Sequence, residues 1–318
     1  MDNSKINVVK SRIKGLWPHL FTGEDSIFVL KTALKVVGIG LFNLFFIFFI
    51  IFSLLKVNSI FFEAHGYSSA EQLRSAYYQF VLSASLEYLP WLLLFFILLF
   101  FAGLYVAYKL LRPFNGISNY CVKAIESGNV SYDIDSFSDF KLLTRFSEYF
   151  FSYVNLCRLE KKLIKHSIPP HYTKIHGPVF DQVYFFHFFL LISIICIFTL
   201  LVMNMITSEI YDGLVQLAIK TLKTKDQSIR QFLLGQAELF DMINWLSMLT
   251  TSVLYFLLSA HLYSLVSGAA FGVFATMRSF MKGNYSARVH LLGYTYVRPF
   301  TRNFNKFLDY LQRNYPSE

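Results

Sequence analysis

The chain has 318 residues, of which 55% are hydrophobic, 19% aromatic and only 15% charged, with a formal net charge of +9. That balance lies outside the range of soluble domains and matches a polytopic membrane protein, so the expected fold is all-α. A basic face beside anionic lipid accounts for the excess of cations, and no nucleic-acid partner is expected.

Residues 1–30 read as a cytoplasmic amphipathic segment. Ile6, Val9, Ile13, Leu16 and Trp17 fall on one helical face and Lys5, Lys10, Arg12 and Lys14 elsewhere, as in a helix lying in the headgroup layer. Residues 36–55, 88–108, 182–208 and 242–266 contain no Asp, Glu, Lys or Arg, and each is long enough to cross a ~30 Å hydrocarbon core. The first run starts too far into the chain for a removable signal and reads as a signal anchor. Four transmembrane helices are therefore expected, as hairpins over 31–111 and 182–267. The first 35 residues carry six Lys and Arg, 109–174 carry ten and 278–313 carry seven, which leaves six of 29 for the inter-span loops. By the positive-inside rule both termini and the central region lie in the cytoplasm, with loops 56–87 and 209–241 outside. Cys121, Cys157 and Cys196 form no CxxC pair and no disulfide framework is expected.

Each hairpin is followed by a pair of amphipathic segments, so the chain repeats itself. After Arg112-Pro113, residues Phe114, Ile117, Cys121 and Ala124 are spaced by three, four and three, which makes a coiled-coil seam. Gly128-Asn129 ends that helix, since glycine adopts the left-handed helix end at little cost. Ile134 is the apolar anchor of the connector that follows. Leu142, Phe146, Tyr149, Tyr153 and Leu156 form a second seam, and Lys161, Lys162 and Lys165 close its helix where cations favour the dipole. Residues 166–181, with Pro169, Pro170, Gly177 and Pro178, read as an extended return linker of up to ~50 Å. In the second half, Ala270, Val273, Met277 and Phe280 form the first seam, Gly283-Asn284 ends it, Val289 stands where Ile134 stood, and Phe300, Phe304, Phe307 and Leu311 repeat the second helix.

These two stretches, 112–165 and 268–318, resemble the HAMP domain of bacterial chemoreceptors, sensor kinases and membrane-bound cyclases. The resemblance is carried by Arg112-Pro113, Ile125 with Gly128-Asn129, Ile134, and Phe146-Ser147-Glu148-Tyr149; and by Phe280, Gly283-Asn284, Val289 and Phe304-Asn305-Lys306-Phe307 in the second copy. The first copy is one residue longer than the family pattern between Pro113 and Gly128. The second has Ala269 where the proline belongs, and neither has the family's acidic step before the second helix. The resemblance implies a parallel four-helix bundle that relays motion from the membrane, built here from two HAMP-like helix pairs by self-association within the chain or as a homodimer.

Other polar residues carry bland readings beside sharper ones. Asn43, His187 and His261 lie inside spans, where interhelical hydrogen bonding is preferred over proton sensing. His166, His171 and His176 recur every five residues, which in a proline-interrupted linker reads as a solvated basic face and not as a metal site. Gly268 and Gly272 form a GxxxG step that permits close packing or a bend. No phosphate loop, nucleophile elbow, metal-ligand set or nucleotide-binding glycine pattern occurs, so no catalytic residue, metal or cofactor is expected, and no output domain follows the second helix. The expected function is signal relay to a separate cytoplasmic partner. The alternatives are a membrane scaffold or anchoring subunit of an envelope complex, and a small transporter, against which stands the lack of charge or broken helix in any span.

Overall fold

The computed structural model describes residues 24–64, 70–127, 141–175, 177, 182–222 and 227–316. They are helical throughout their main elements, with no strand among the described residues. The helices are α1 (Glu24–Ala64), α2 (Ala70–Ser127), α3 (Lys141–Glu160), α4 (Pro170–Thr173), α5 (Gln182–Leu222), α6 (Gln227–Met281) and α7 (Arg298–Asn314), the last preceded by a 3-10 turn at Thr295–Val297. Four of them, α1, α2, α5 and α6, are long and apolar enough to cross a membrane. The protein is an all-α, polytopic integral membrane protein.

These four helices are much longer than a bilayer requires. The 41 residues of α1 span ~60 Å, twice the hydrocarbon core. The extra length corrects the sequence reading on the distal side. Residues 56–64, 70–87, 209–222 and 227–241, within stretches expected as loops, are helical, because the apolar period continues through Phe61, Phe62, Tyr77, Val81, Tyr211, Leu214 and Phe240. Their rings interlock, with Phe61 stacked on Phe232 at 3.8 Å and Tyr211 on Phe240 at 4.0 Å.

The chain divides into two compact units that cut across its repeat. One comprises Ala33–Gly103 with Leu191–Leu258, the bulk of both hairpins; the other comprises the described residues up to Thr32, Leu104–Leu190 and those from Ser259 on. Residues from both halves of the repeat thus share each unit, and the order of segments along the chain is not the order of domains.

Within the second unit, the return linker differs from the extended coil that its prolines suggest. Pro170 to Thr173 form the single turn α4, with Pro170 as an N1 proline. The preceding residues are bound at both ends: Leu163 N–H donates to the Pro316 carbonyl (2.8 Å) and His166 N–H to that of Met281 (2.9 Å). Arg278 then holds the far side, donating to the carbonyls of Tyr172 (3.2 Å) and Ile175 (2.7 Å).

Candidate functional site

The residues singled out by the repeat converge on a four-helix bundle in the second unit. It is built from the C-terminal parts of α2 and α6 together with α3 and α7. The first seams are buried as their spacing demands: Phe114, Ile117, Cys121 and Ala124 on α2, and Ala270, Val273, Met277 and Phe280 on α6. Pro113 is buried too, within an unbroken helix. On α7 the buried set is Thr301, Phe304, Phe307, Leu308 and Leu311, which contains three of the four seam residues; Phe300 is half-buried.

Aromatic contacts join the two halves of the repeat inside one chain. Phe150 meets Phe304 (5.9 Å) and Phe280 (6.2 Å), Phe151 meets Phe307 (6.0 Å), and Phe146 meets Phe274 (4.4 Å). Tyr120 of α2 packs on Phe151 at 4.0 Å and on Phe307 at 6.3 Å. Polar bonds cross the same boundary, among them Asn303 Nδ2 donating to Ser118 Oγ at 2.9 Å.

The register of α3 needs correction. Of the seam Leu142, Phe146, Tyr149, Tyr153 and Leu156, the helix buries Phe146 and Tyr153, but it also buries Leu143, Ser147, Phe150, Phe151, Val154 and Cys157, and leaves Leu156 half exposed. Tyr149 is half-buried and turns to the linker: its hydroxyl donates to the Ser167 carbonyl (3.1 Å), and its ring lies against His166 (5.6 Å) and Tyr172 (6.4 Å). The cause is Tyr172, which reaches Phe146 (4.9 Å) and covers a second face of α3 that spacing alone could not assign. His166 is correspondingly packed between Tyr149 and Tyr153 (5.7 Å), His171 is exposed, and His176 lies outside the described residues. Among the described residues no group of three or more His, Cys, Asp or Glu gathers.

The helix ends repeat as well. At the end of α6, Gly283 N–H bonds to the Phe280 carbonyl and Asn284 N–H to that of Ser279, a Schellman cap with Gly283 at φ +98°. The Asn284 side chain closes the turn, its amide reaching Ser279 Oγ and its oxygen accepting from Ser286. At the end of α3 the same two bonds form, Lys161 to Arg158 and Lys162 to Cys157, but the left-handed position is Lys161, at φ 54°. A lysine there carries a steric cost that glycine avoids, so Lys161→Gly is expected to raise stability by about 1 kcal/mol, read as an upward shift in thermal midpoint. Gly283→Val should act in the opposite sense and more strongly. Even a Cβ at Gly283 would sit 2.7 Å from Lys165 Cε, in addition to the strain of a β-branched residue at positive φ; a loss of about 2 kcal/mol or more is expected. Equal midpoints for Gly283→Val and wild type would refute the capping role.

The second connector is clamped to α7 from the chain's own side chains. Asn305 binds the backbone of Val289 twice, accepting from its N–H (2.8 Å) and donating to its carbonyl (3.0 Å), and Val289 is buried. Arg288 pairs with Asp309 (2.7 Å) and Gln312 (2.7 Å). In the first copy, Ser147 stands where Asn305 does, and its hydroxyl bonds within its own helix, to Leu143. Gly128, Asn129 and Ile134 of that copy lie outside the described residues.

Tyr149, Tyr153 and Tyr296 resist ionisation. Burial raises Tyr149, with Tyr172 adding to it; burial raises Tyr153, helped by Cys157; and burial raises Tyr296, with Tyr294 contributing. Each shift is above the ordinary 10.0, so this stabilisation is complete below pH ~10 and is lost as pH rises beyond it, when only the unfolded chain ionises. An alkaline melt of the bundle setting in above pH ~10 is expected, and it should weaken in Tyr153→Phe.

In the hairpin unit, Asn43 is buried and accepts from Ser247 Oγ at 2.7 Å, an interhelical bond between α1 and α6. Asn244 donates to Asn204 at 2.6 Å, and Tyr255 Oη reaches both Thr199 (3.2 Å) and the Val36 carbonyl (3.2 Å). His187 and His261, for which interhelical hydrogen bonding is expected, belong to the other unit and have exposed side chains. His187 lies five residues from the start of the uncharged run 182–208, only ~8 Å along the helix, where a polar ring can stay at the headgroup level. No protein-family model, curated protein or solved structure matches this chain.

Proposed function

We propose that this protein is a transmembrane signal relay, which passes a conformational change through two HAMP-like helix pairs to a separate cytoplasmic partner. The observation that carries the reading is continuity. α2 runs without a break from Ala70 through its apolar span and Pro113 to Ser127, and α6 from Gln227 to Met281, so a span and its bundle seam share one continuous helix. A tilt or shift of either span must move Phe114–Ala124 or Ala270–Phe280 against α3 and α7, and packed aromatic layers respond to such shifts in discrete steps. The distribution of Lys and Arg supports cytoplasmic termini and a cytoplasmic bundle, and the HAMP resemblance supports a bacterial inner membrane.

Contacts between the halves within one chain support a bundle complete in a single copy, without a second chain. The rival reading, a scaffold subunit of an envelope complex, draws on the clamps at Asn305, Arg288 and Arg278, which would suit a rigid platform. Distance measurement separates the two. Spin labels at Glu148→Cys on α3 and Lys306→Cys on α7, both exposed positions, would be compared in nanodiscs of short-chain and long-chain lipid, whose thickness tilts long spans. A relay predicts a change of about 1–2 Å or more between labels. One invariant distance across all thicknesses would favour the scaffold.

A further inference from the structure

The connector between α6 and α7 is held on both flanks yet presents one leucine outward. Val289 is fixed by Asn305; Leu291 and Tyr294 lie over the GxxxG face of α6, where a Cβ at Gly272 would meet Leu291 Cδ2 and one at Gly268 would meet Tyr294 Oη, each at 2.3 Å. The two glycines thus seat the connector and neither bend the helix nor receive another span. Tyr296 stacks on Phe28 at 4.3 Å, and Arg298 pairs with Glu24 at 3.0 Å. Between these anchors Leu292 is 94% exposed. In water such a side chain forgoes the free energy of burial.

Its height in the fold is set by its neighbours. Gly268 and Gly272 lie two and six residues past the span 242–266, in a stretch whose first charge is Arg278, and Phe28 lies eight residues before the first span, whose last preceding cations are Lys31 and Lys35. The connector is packed against both helices just beyond the ends of their spans, which is the level of the headgroups. Exposed Arg298 and Arg302 on the first turns of α7 supply cations that anionic lipid would complement.

We propose that Leu292 is a lipid anchor, inserted at the headgroup–acyl boundary of the bilayer on the side of the two termini. The site deepens the relay reading and rests on it for its purpose: the tip is tied to α7 through Asn305 and to α6 through Gly268 and Gly272, so lipid packing would act on both helices directly. The lipid contact itself exists in the resting protein and needs no signal.

The test is depth measurement. The full chain carrying a spin label at Leu292→Cys is placed at one copy per nanodisc in 3:1 phosphatidylcholine and phosphatidylglycerol, and collision with oxygen is compared with collision with a water-soluble nickel chelate. Lys306→Cys serves as the aqueous reference, and the native cysteines are buried. Label 292 is expected several-fold less accessible to nickel than label 306, at a depth of ~5–10 Å. Equal nickel accessibility at both positions would overturn the anchor. So would shielding that appears only at several copies per disc, which would mark a second copy as the cover. Neither result touches the relay, which stands or falls on the α3–α7 distance.

Discussion

Phe307→Ala is expected to destabilise the four-helix bundle by about 3–5 kcal/mol, the range for deleting a buried phenylalanine into a packed core. Phe307 has no exposed surface, and its ring contacts Tyr120 and Phe151, which belong to two other helices of the bundle. Those neighbours are themselves fixed: Phe151 is locked under Tyr120, and α7 is held by Asn305 and by the Asn303–Ser118 bond. Little collapse into the cavity can follow, so the cost falls at the upper part of the range. The measurement is hydrogen exchange of α3 and α7 in nanodiscs, beside Lys306→Ala, an exposed change on the same helix that should stay within about 0.5 kcal/mol of wild type. Similar protection in both variants would mean that α7 is not part of the core. Tyr149→Ala should cost less than Phe307→Ala even though the two align in the repeat, because Tyr149 packs only against the linker and α3 itself.

Gly103→Val should be the most damaging change in the hairpin unit. A Cβ at Gly103 would stand 2.6 Å from Ala33 Cα, with Ala33 Cβ at 3.2 Å and its carbonyl oxygen at 3.3 Å. The obstacle is backbone, which no rotamer change can move, so α1 and α2 must part along their crossing. Replacing a mid-helix glycine gains up to about 1 kcal/mol in helix propensity for alanine, and overpacking costs about 1–3 kcal/mol or more. For alanine the two nearly balance with the clash ahead; for valine, with two further methyls and poorer propensity, the clash dominates. A thermal midpoint of Gly103→Val at or above wild type would show that the crossing is looser than described. Ala33→Gly introduced beside it should restore only part of the loss, since the nearest atom is the Cα that glycine keeps.

Periodicity in the chain carried much of the bundle. The four seam positions on α2, the four on α6, and Phe304, Phe307 and Leu311 are buried because a helix that leaves the bilayer has one apolar stripe, and local spacing of three and four is enough to locate it. Gly283 was legible for a similar reason, since a left-handed helix end is a backbone requirement of one position. The seam of α3 was not legible in the same way. That helix carries apolar or aromatic side chains on more than one stripe, Phe150 and Phe151 beside Tyr149 and Tyr153, and which stripe faces the core depends on Tyr172, 23 residues beyond Tyr149 in sequence.

By itself the amino-acid sequence determined that this is an all-α membrane protein with four spans and a duplicated plan, because transfer of apolar side chains from water to lipid is additive along the chain and needs no partner to be counted. Only the tertiary structure decided which faces meet: that α3 turns Phe150 toward Phe304, that Asn305 grips Val289, that Gly268 and Gly272 receive a connector and not a helix, and that α1 and α2 touch at Ala33 and Gly103. Such pairings depend on contacts between residues far apart in sequence, and each is settled by the shape and hydrogen-bonding of a neighbour that no local pattern names.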